Sequence, residues 1–107
     1  MARKSPIQTY METKVTESAN MLVPFYLMAS YAYYVQDNPI ITDQYFDHIG
    51  TLLLVKYDQI EHRHKDLITV DMLRAGTYLG EYPSIVEGAT NDLRLHYGGK
   101  RRVTKRK

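Results

Sequence analysis

The 107-residue sequence contains no cysteine and no tryptophan. Without cysteine the chain cannot form a disulfide, use a thiolate nucleophile or build a cysteine-ligated zinc site. A zinc site would therefore need histidines and carboxylates, and His62 and His64 are two residues apart. A helix places residues at that spacing on different faces, so we expect two solvated histidines, no metal site and no metal cofactor.

The sequence also lacks a long apolar run. Residues 18–36 form an uncharged run of 19 residues, but it contains Asn20, Pro24, Gln36 and four tyrosines. A membrane span needs about 20 predominantly apolar residues, and the first residues of the chain lead into a mixed polar segment and not into the apolar core of a signal peptide. We therefore expect a buried helix pair here, no contact with a membrane, and a cytoplasmic (intracellular) location.

Positive charge is scarce over most of the chain and concentrated at its C-terminal end. Six of the 14 basic residues lie in residues 100–107. Residues 1–99 therefore contain eight basic and 12 acidic residues and carry a formal charge of −4. The six are Lys100, Arg101, Arg102, Lys105, Arg106 and Lys107. We predict a helical domain over 1–99 and a basic tail over 100–107, disordered when free, that contacts nucleic-acid phosphates without reading sequence. The alternative is a tail that only keeps the protein in solution.

Two helices are predicted before residue 37. Ser5-Pro6 is typical of an N-cap followed by the first helical residue, and apolar residues recur at helical spacing from there to about Leu22. Pro24 lacks an N–H and should end or kink this helix. A second helical pattern then runs from Pro24 to Gln36.

Three further helices are predicted after residue 42. Thr42 is a suitable N-cap for the third, which has the clearest period and an apolar stripe of Phe46, Ile49, Leu53, Tyr57 and Ile60. Thr69 can cap a short fourth helix that ends at Gly76 or Gly80. Ser84 and the glutamate three residues later form a capping box, which predicts the start of a fifth helix.

The predicted fold is all-α, because no segment shows the alternating pattern of a strand. We expect a small bundle of four to five helices built on a helix–turn–helix hairpin. The third helix should pack its apolar stripe on the second. The residues expected to be buried together are Phe46, Ile49, Leu53 and Ile60 on the third helix and Phe25, Met28 and Val35 on the second.

The candidate binding residues lie between residues 33 and 47. Tyr33 and Tyr34 are adjacent at the end of the second helical pattern, and Asp43 and Asp47 open the third. A spacing of four puts both carboxylates on one helix face, about 5–6 Å apart at Cβ. Two tyrosines facing two carboxylates across a tight turn suit a flat, partly cationic ring that carries a ribose. The alternative is structural, since tyrosines also fill cores and acids also favour helix N-termini.

The same stretch resembles the N-terminal helical subdomain of bacterial NAD-dependent DNA ligases. The resemblance is carried by Tyr33-Tyr34-Val35, Asp37-Asn38-Pro39, Ile41-Thr42-Asp43 and Phe46-Asp47, and it covers roughly residues 20–70. It implies that Tyr33, Tyr34, Asp43 and Asp47 recognise the nicotinamide mononucleotide (NMN) half of NAD. NMN or NAD is therefore the expected cofactor. At Phe46 the ligases have a tyrosine, so the hydroxyl of that residue is missing here.

The resemblance does not extend to the nucleotidyltransferase domain in which the ligases form their enzyme-adenylate. Residues 56–59 have the lysine and aspartate of that domain's Lys-x-Asp-Gly motif, but they lack its glycine and lie in a helical pattern. No nucleophile–base pair or phosphate-binding glycine loop is evident either. We therefore predict a non-catalytic module, an accessory to DNA joining or repair beside a separate catalytic protein. The alternative is a small adaptor that binds a protein partner through its helices and nucleic-acid phosphates through its tail.

Overall fold

The computed structural model describes residues 5–76, 78 and 80–97, and all regular secondary structure in these ranges is helical. The α-helices are α1 (Pro6–Glu17), α2 (Leu22–Ser30), α3 (Asp43–Lys56), α4 (Val70–Ala75) and α5 (Ser84–His96). The predicted all-α fold is thereby confirmed. The boundary at residue 99 and the basic tail lie outside the described residues, so the division into domain and tail stays a prediction.

Helix α2 lies at the centre of the bundle. Every residue of α2 except Pro24 is buried, and a helix that is apolar all round is typical of a protein core. It packs against α3 and α5, and α3 in turn packs against α4. Of the helices in the described ranges, none is long and apolar enough to cross a bilayer.

The junction between α1 and α2 differs from the prediction. Helix α1 ends at Glu17 and not near Leu22, because Ser18 is extended, with φ −154° and ψ 118°. A short 3₁₀ turn over Ala19–Met21 leads into α2. Pro24 is the third residue of α2, where a missing N–H costs no intrahelical hydrogen bond. The expectation that Pro24 ends or kinks a helix was therefore wrong.

Three of the predicted helix starts are confirmed by their caps. The hydroxyls of Ser5, Thr42 and Thr69 each accept a hydrogen bond from the backbone N–H three residues later, at 3.0–3.1 Å. Gly76 ends α4 in the left-handed region, with φ 76°, a conformation that glycine adopts without steric cost. These local signals depend only on neighbouring residues, which is why the sequence reveals them.

Helix α5 begins where predicted but turns a more polar face to the core. Ser84 is its first residue and not its cap, since Pro83 occupies the N-cap position. The apolar residues at helical spacing along α5 are Val86, Ala89, Leu93 and Tyr97, of which Val86 is buried and the others are partly buried. The most buried face instead combines Val86 with Thr90, Asn91 and Arg94.

The predicted core is confirmed for most of its members. Ile49, Leu53 and Ile60 are buried together with Phe25 and Met28 in one cluster. Two of the expected members are not fully buried in this cluster. Phe46 is only partly buried, with Tyr45 beside it turned inwards, and Val35 is 37% exposed.

The exposure of Val35 follows from a change in helix type after α2. Residues Tyr31–Val35 form a π turn, in which the N–H of Gln36 donates to the carbonyl of Tyr31 at 3.1 Å. A π turn holds one more residue than an α turn, so the side chains that follow are rotated away from the predicted phase. Tyr33, Tyr34 and Val35 consequently lie at the surface.

Candidate functional site

The four predicted site residues line one cleft, of about 230 Å³. We call Tyr33 and Tyr34, at the end of the π turn, the tyrosine wall, and Asp43 and Asp47, in the first turns of α3, the carboxylate wall. Among the described residues, the lining consists of Ala29, Tyr33, Tyr34, Pro39, Ile41, Asp43, Phe46, Asp47 and Gly76. The tyrosines are 46% and 45% exposed, so their rings are open to a ligand.

The tyrosine wall is a pair of rings in contact. The centroids of Tyr33 and Tyr34 are 4.8 Å apart and the ring planes make an angle of 82°, an edge-to-face arrangement. The π turn presents these two consecutive residues on the same side of the molecule. π turns are rare, and they occur frequently at functional sites.

The carboxylate wall is set by the start of α3. Thr42 caps the helix, so Asp43 is its first residue and Asp47 follows one turn later on the same face. The positive end of the helix dipole stabilises an acid in the first turn. The residues lining the cleft in the described chain include no lysine, arginine or histidine. The cleft therefore favours a cationic group over an anionic one.

Phe46 and Tyr26 stack below the cleft. Their ring centroids are 4.9 Å apart and the planes are 11° from parallel. Burial raises the pKa of Tyr26 to about 12, and the nearby Tyr34, Asp47 and Tyr78 contribute to this rise. Tyr26 therefore remains a neutral phenol at neutral pH. Tyr26 lines a smaller recess of about 200 Å³, which shares Phe46, Asp47 and Gly76 with the cleft.

The turn between the two walls has a backbone conformation that few residues adopt. Asp37 has φ 54°, the left-handed region that aspartate tolerates better than most side chains. The N–H of Asn38 then donates to the carbonyl of Ala32 at 2.9 Å. Pro39 follows and lines the cleft. This turn determines how far Tyr34 lies from Asp43.

A family model described as "DNA ligase-like, N-terminal NAD+-binding domain" matches residues 12–72. The chain belongs to this family. The matched residues contain both walls of the cleft and the turn between them. No solved structure matches the chain. The predicted relationship to the N-terminal part of NAD-dependent ligases is thereby confirmed.

Several parts of the site of this ligase-family domain were not predicted from the sequence. Gly76 reaches the cleft from α4, and nothing in its sequence neighbourhood indicates that approach. Tyr26 lies at helical spacing from Ser30 and Tyr33, and this spacing is the signal that could have identified it. The roles of Tyr33, Tyr34, Asp43 and Asp47 in binding stay predictions, although the domain places all four in one cleft.

His62 and His64 are not the solvated, opposed pair that was expected. The segment between Gln59 and Lys65 is not helical, and the two rings lie 5.5 Å apart. The N–H of His64 donates to Nδ1 of His62 at 3.1 Å, and both residues are partly buried. Burial lowers the pKa of His62, and His64 and Arg63 lower it further. In the described part of the domain, no group of three or more histidine, aspartate and glutamate side chains could hold a metal ion.

The basic tail lies outside the residues that the structure describes. Its predicted nucleic-acid contacts therefore have no structural counterpart here. The residues concerned are Lys100, Arg101, Arg102, Lys105, Arg106 and Lys107. Their contact with phosphates stays a prediction.

Proposed function

We propose that this domain binds the NMN half of NAD+ in the cleft between Tyr33–Tyr34 and Asp43–Asp47, without catalysing a reaction on its own. The observation that carries the proposal is one open cleft lined by two exposed tyrosines of the π turn and two carboxylates of α3. It is supported by membership of a family whose description names NAD+ binding.

The chemistry of NMN fits the two walls. Its nicotinamide ring is a flat pyridinium cation, which the face of a tyrosine ring attracts. The carboxylates of Asp43 and Asp47 attract the same charge and can accept hydrogen bonds from the ribose hydroxyls. The lining contains no basic side chain within the described residues, so the phosphate is expected to point out of the cleft. A cleft of about 230 Å³ accommodates a ring and a sugar better than a whole dinucleotide, since the pockets of drug-sized ligands measure roughly 300–1,000 Å³.

Calorimetric titration with four ligands tests the proposal. NMN and NAD+ should bind, because both carry the pyridinium ring, whereas AMP should not. NADH differs from NAD+ only in its reduced, uncharged ring, and it should bind roughly two- to thirtyfold more weakly if the ring charge is recognised by the tyrosines. Absence of heat from NMN and NAD+ at about 1 mM ligand, equivalent to roughly 4 kcal/mol of affinity, would contradict the proposal.

Replacing Phe46 by tyrosine gives a second arm of this experiment. The ligases that the chain resembles have tyrosine at this position, and Phe46 lines the cleft. The added hydroxyl should strengthen NMN binding if a ribose or amide group lies within its reach. The stacked contact with Tyr26 can be kept, because the change adds one oxygen at the edge of the ring.

We further propose that the domain serves DNA joining or repair as an accessory. It would hold the nicotinamide half of NAD+ while a separate nucleotidyltransferase takes the adenylyl group. The support is the description of the family as DNA ligase-like. A protein partner and nucleic acid are accordingly the proposed interaction partners.

The basic tail is the proposed contact with nucleic acid, and six positive charges within residues 100–107 support it. Deleting these residues should weaken binding to duplex DNA. The slope of log K against log salt concentration should become shallower by about 0.9 for each phosphate that the protein no longer neutralises. The thermal midpoint should stay nearly unchanged, because so charged a segment contributes little to a core. Binding isotherms at several salt concentrations provide the measurement.

A full-length variant with glutamine at the six basic positions is the matched control for this deletion. It should bind as weakly as the truncated protein, which separates the effect of charge from that of length. Duplex binding at low salt that equals the wild type in either variant would leave the tail with a solubilising role alone.

A further inference from the structure

A buried arginine of α5 contacts the turn that separates the two walls of the cleft. Nη2 of Arg94 donates to the carbonyl oxygen of Asn38 at 2.5 Å and to Oε1 of Gln36 at 2.7 Å. Arg94 is only 6% exposed. Nε2 of Gln36 also donates to Oδ1 of Asn91 at 3.2 Å, so two residues of α5 reach the same turn.

These contacts lie on either side of Asp37, the residue in the left-handed conformation. A guanidinium stays charged in proteins and has no acceptor of its own, so a buried one requires well-placed acceptors. Here the acceptors belong to Gln36 and Asn38. Arg94 therefore fixes the backbone at the point where the chain leaves the tyrosine wall.

Helix α1 contacts the other end of the same connection. The hydroxyl of Ser5 donates to the carbonyl of Ile40 at 2.7 Å, and Oε1 of Gln8 accepts from the N–H of Thr42 at 3.0 Å. Gln8 is buried, with 6% exposure. Thr42 caps α3, so this contact lies directly before the carboxylate wall.

All four of these contacting residues lie outside the part of the chain that the family model matches, residues 12–72. Ser5 and Gln8 precede it, and Asn91 and Arg94 follow it. The matched residues supply both walls of the cleft, whereas the flanking residues hydrogen-bond to the connection between the walls.

We propose that Arg94 and Gln8 are positioning residues for the cleft. They hold the segment 36–42 so that the tyrosines and the carboxylates remain at a separation that one ligand can bridge. The expected effect on NMN affinity rests on the proposed function, whereas the expected effect on amide hydrogen exchange does not. If Arg94 and Gln8 had a purely structural role, their replacement would lower the stability of the domain. It would not change the local order of the turn, or the NMN affinity when variant and wild type are compared under conditions in which they are equally folded.

Amide hydrogen exchange without ligand tests the positioning directly. The amides of Asn38 and Thr42 report on the two ends of the connection, because they donate to Ala32 and Gln8. The amide of Leu53, in the middle of α3, reports on global opening. Arg94→Met should speed exchange at Asn38 at least about tenfold relative to Leu53, and Gln8→Met should do the same at Thr42.

Val86→Ala is the matched control. Val86 is buried on the same helix as Arg94 but lies eight residues before it, about 12 Å along the axis. Its removal should speed exchange at all three amides in parallel. NMN affinity, compared under conditions in which the proteins are equally folded, should fall about tenfold in Arg94→Met and Gln8→Met. It should stay at the wild-type value in Val86→Ala.

Arg94→Lys provides the conservative variant, since it keeps the buried charge with a single ammonium group. It should fold, and its NMN affinity should lie between those of the wild type and Arg94→Met.

Exchange at Asn38 that rises no more than at Leu53 in both Arg94 variants would overturn the proposal, whatever the NMN affinities are. Faster exchange with unchanged NMN affinity would overturn the link to the cleft. A wild-type domain that does not bind NMN would refute the proposed function, and the exchange data would still decide whether Arg94 and Gln8 hold the connection.

Discussion

Replacing Asp43 by asparagine is expected to weaken NMN binding by roughly ten- to a hundredfold. Asp43 lines the same cleft as Tyr33 and Tyr34, and it is exposed. A hydrogen bond to a charged group contributes about 1.5–3 kcal/mol, and the substitution removes the charge while keeping the shape of the side chain. Calorimetric titration of NMN into both proteins measures the difference. Tyr33→Ala is expected to have a similar effect through the loss of ring stacking.

Asp71→Asn is the matched control for this experiment. Asp71 is also an exposed acid in the first turn of a threonine-capped helix, so both substitutions remove a favourable interaction with a helix dipole, of about 0.3–1 kcal/mol. Asp71 is not among the residues that line the cleft. If both variants bind NMN as the wild type does, the carboxylate of Asp43 has no part in recognition.

Replacing Leu53 by alanine is expected to lower the free energy of unfolding by about 2–5 kcal/mol. Leu53 is fully buried in the cluster that joins α3 to α2, and truncation leaves a cavity that its neighbours cannot fill completely. A domain of about 100 residues has only about 5–15 kcal/mol of stability in total. Urea denaturation of the wild type and the variant gives the change directly.

Val55→Ala is the control for the core, two residues later on the same helix. Val55 is 71% exposed, so the substitution should change the free energy of unfolding by less than about 0.5 kcal/mol. A Leu53→Ala variant as stable as Val55→Ala would show that α3 does not pack on α2 as described.

The sequence predicted the parts of the fold that depend on neighbouring residues. The caps at Ser5, Thr42 and Thr69 lie where expected, because a hydroxyl and the amide three residues later form a local signal. The grouping of Ile49 and Leu53 on a buried face likewise follows from helical period. The placement of both site walls came from the same local information, together with the family pattern of residues 33–47.

What the sequence did not predict depends on distant residues or on irregular backbone. The π turn at Tyr31–Val35 changes the phase of the helix by one residue, so Val35 was assigned to the core although it is exposed. Regular periodicity assumes a constant turn and cannot register this change. The burial of Arg94 was missed because arginine is rarely buried unless acceptors surround it. Those acceptors belong to Gln36 and Asn38, in another part of the chain.

The hydrogen bonds to the connection between the walls also constrain when the cleft can form during synthesis. Ser5 bonds to a carbonyl 35 residues later in the sequence, and Asn38 receives its bond from a residue 56 positions further on. A chain emerges from the ribosome N-terminus first. Helices α1, α2 and α3 can assemble early, but the turn at Asp37 acquires its contact with Arg94 only when α5 has been synthesised. The four predicted site residues that line the cleft are thus made before the helix that supplies the last contact to the turn between them.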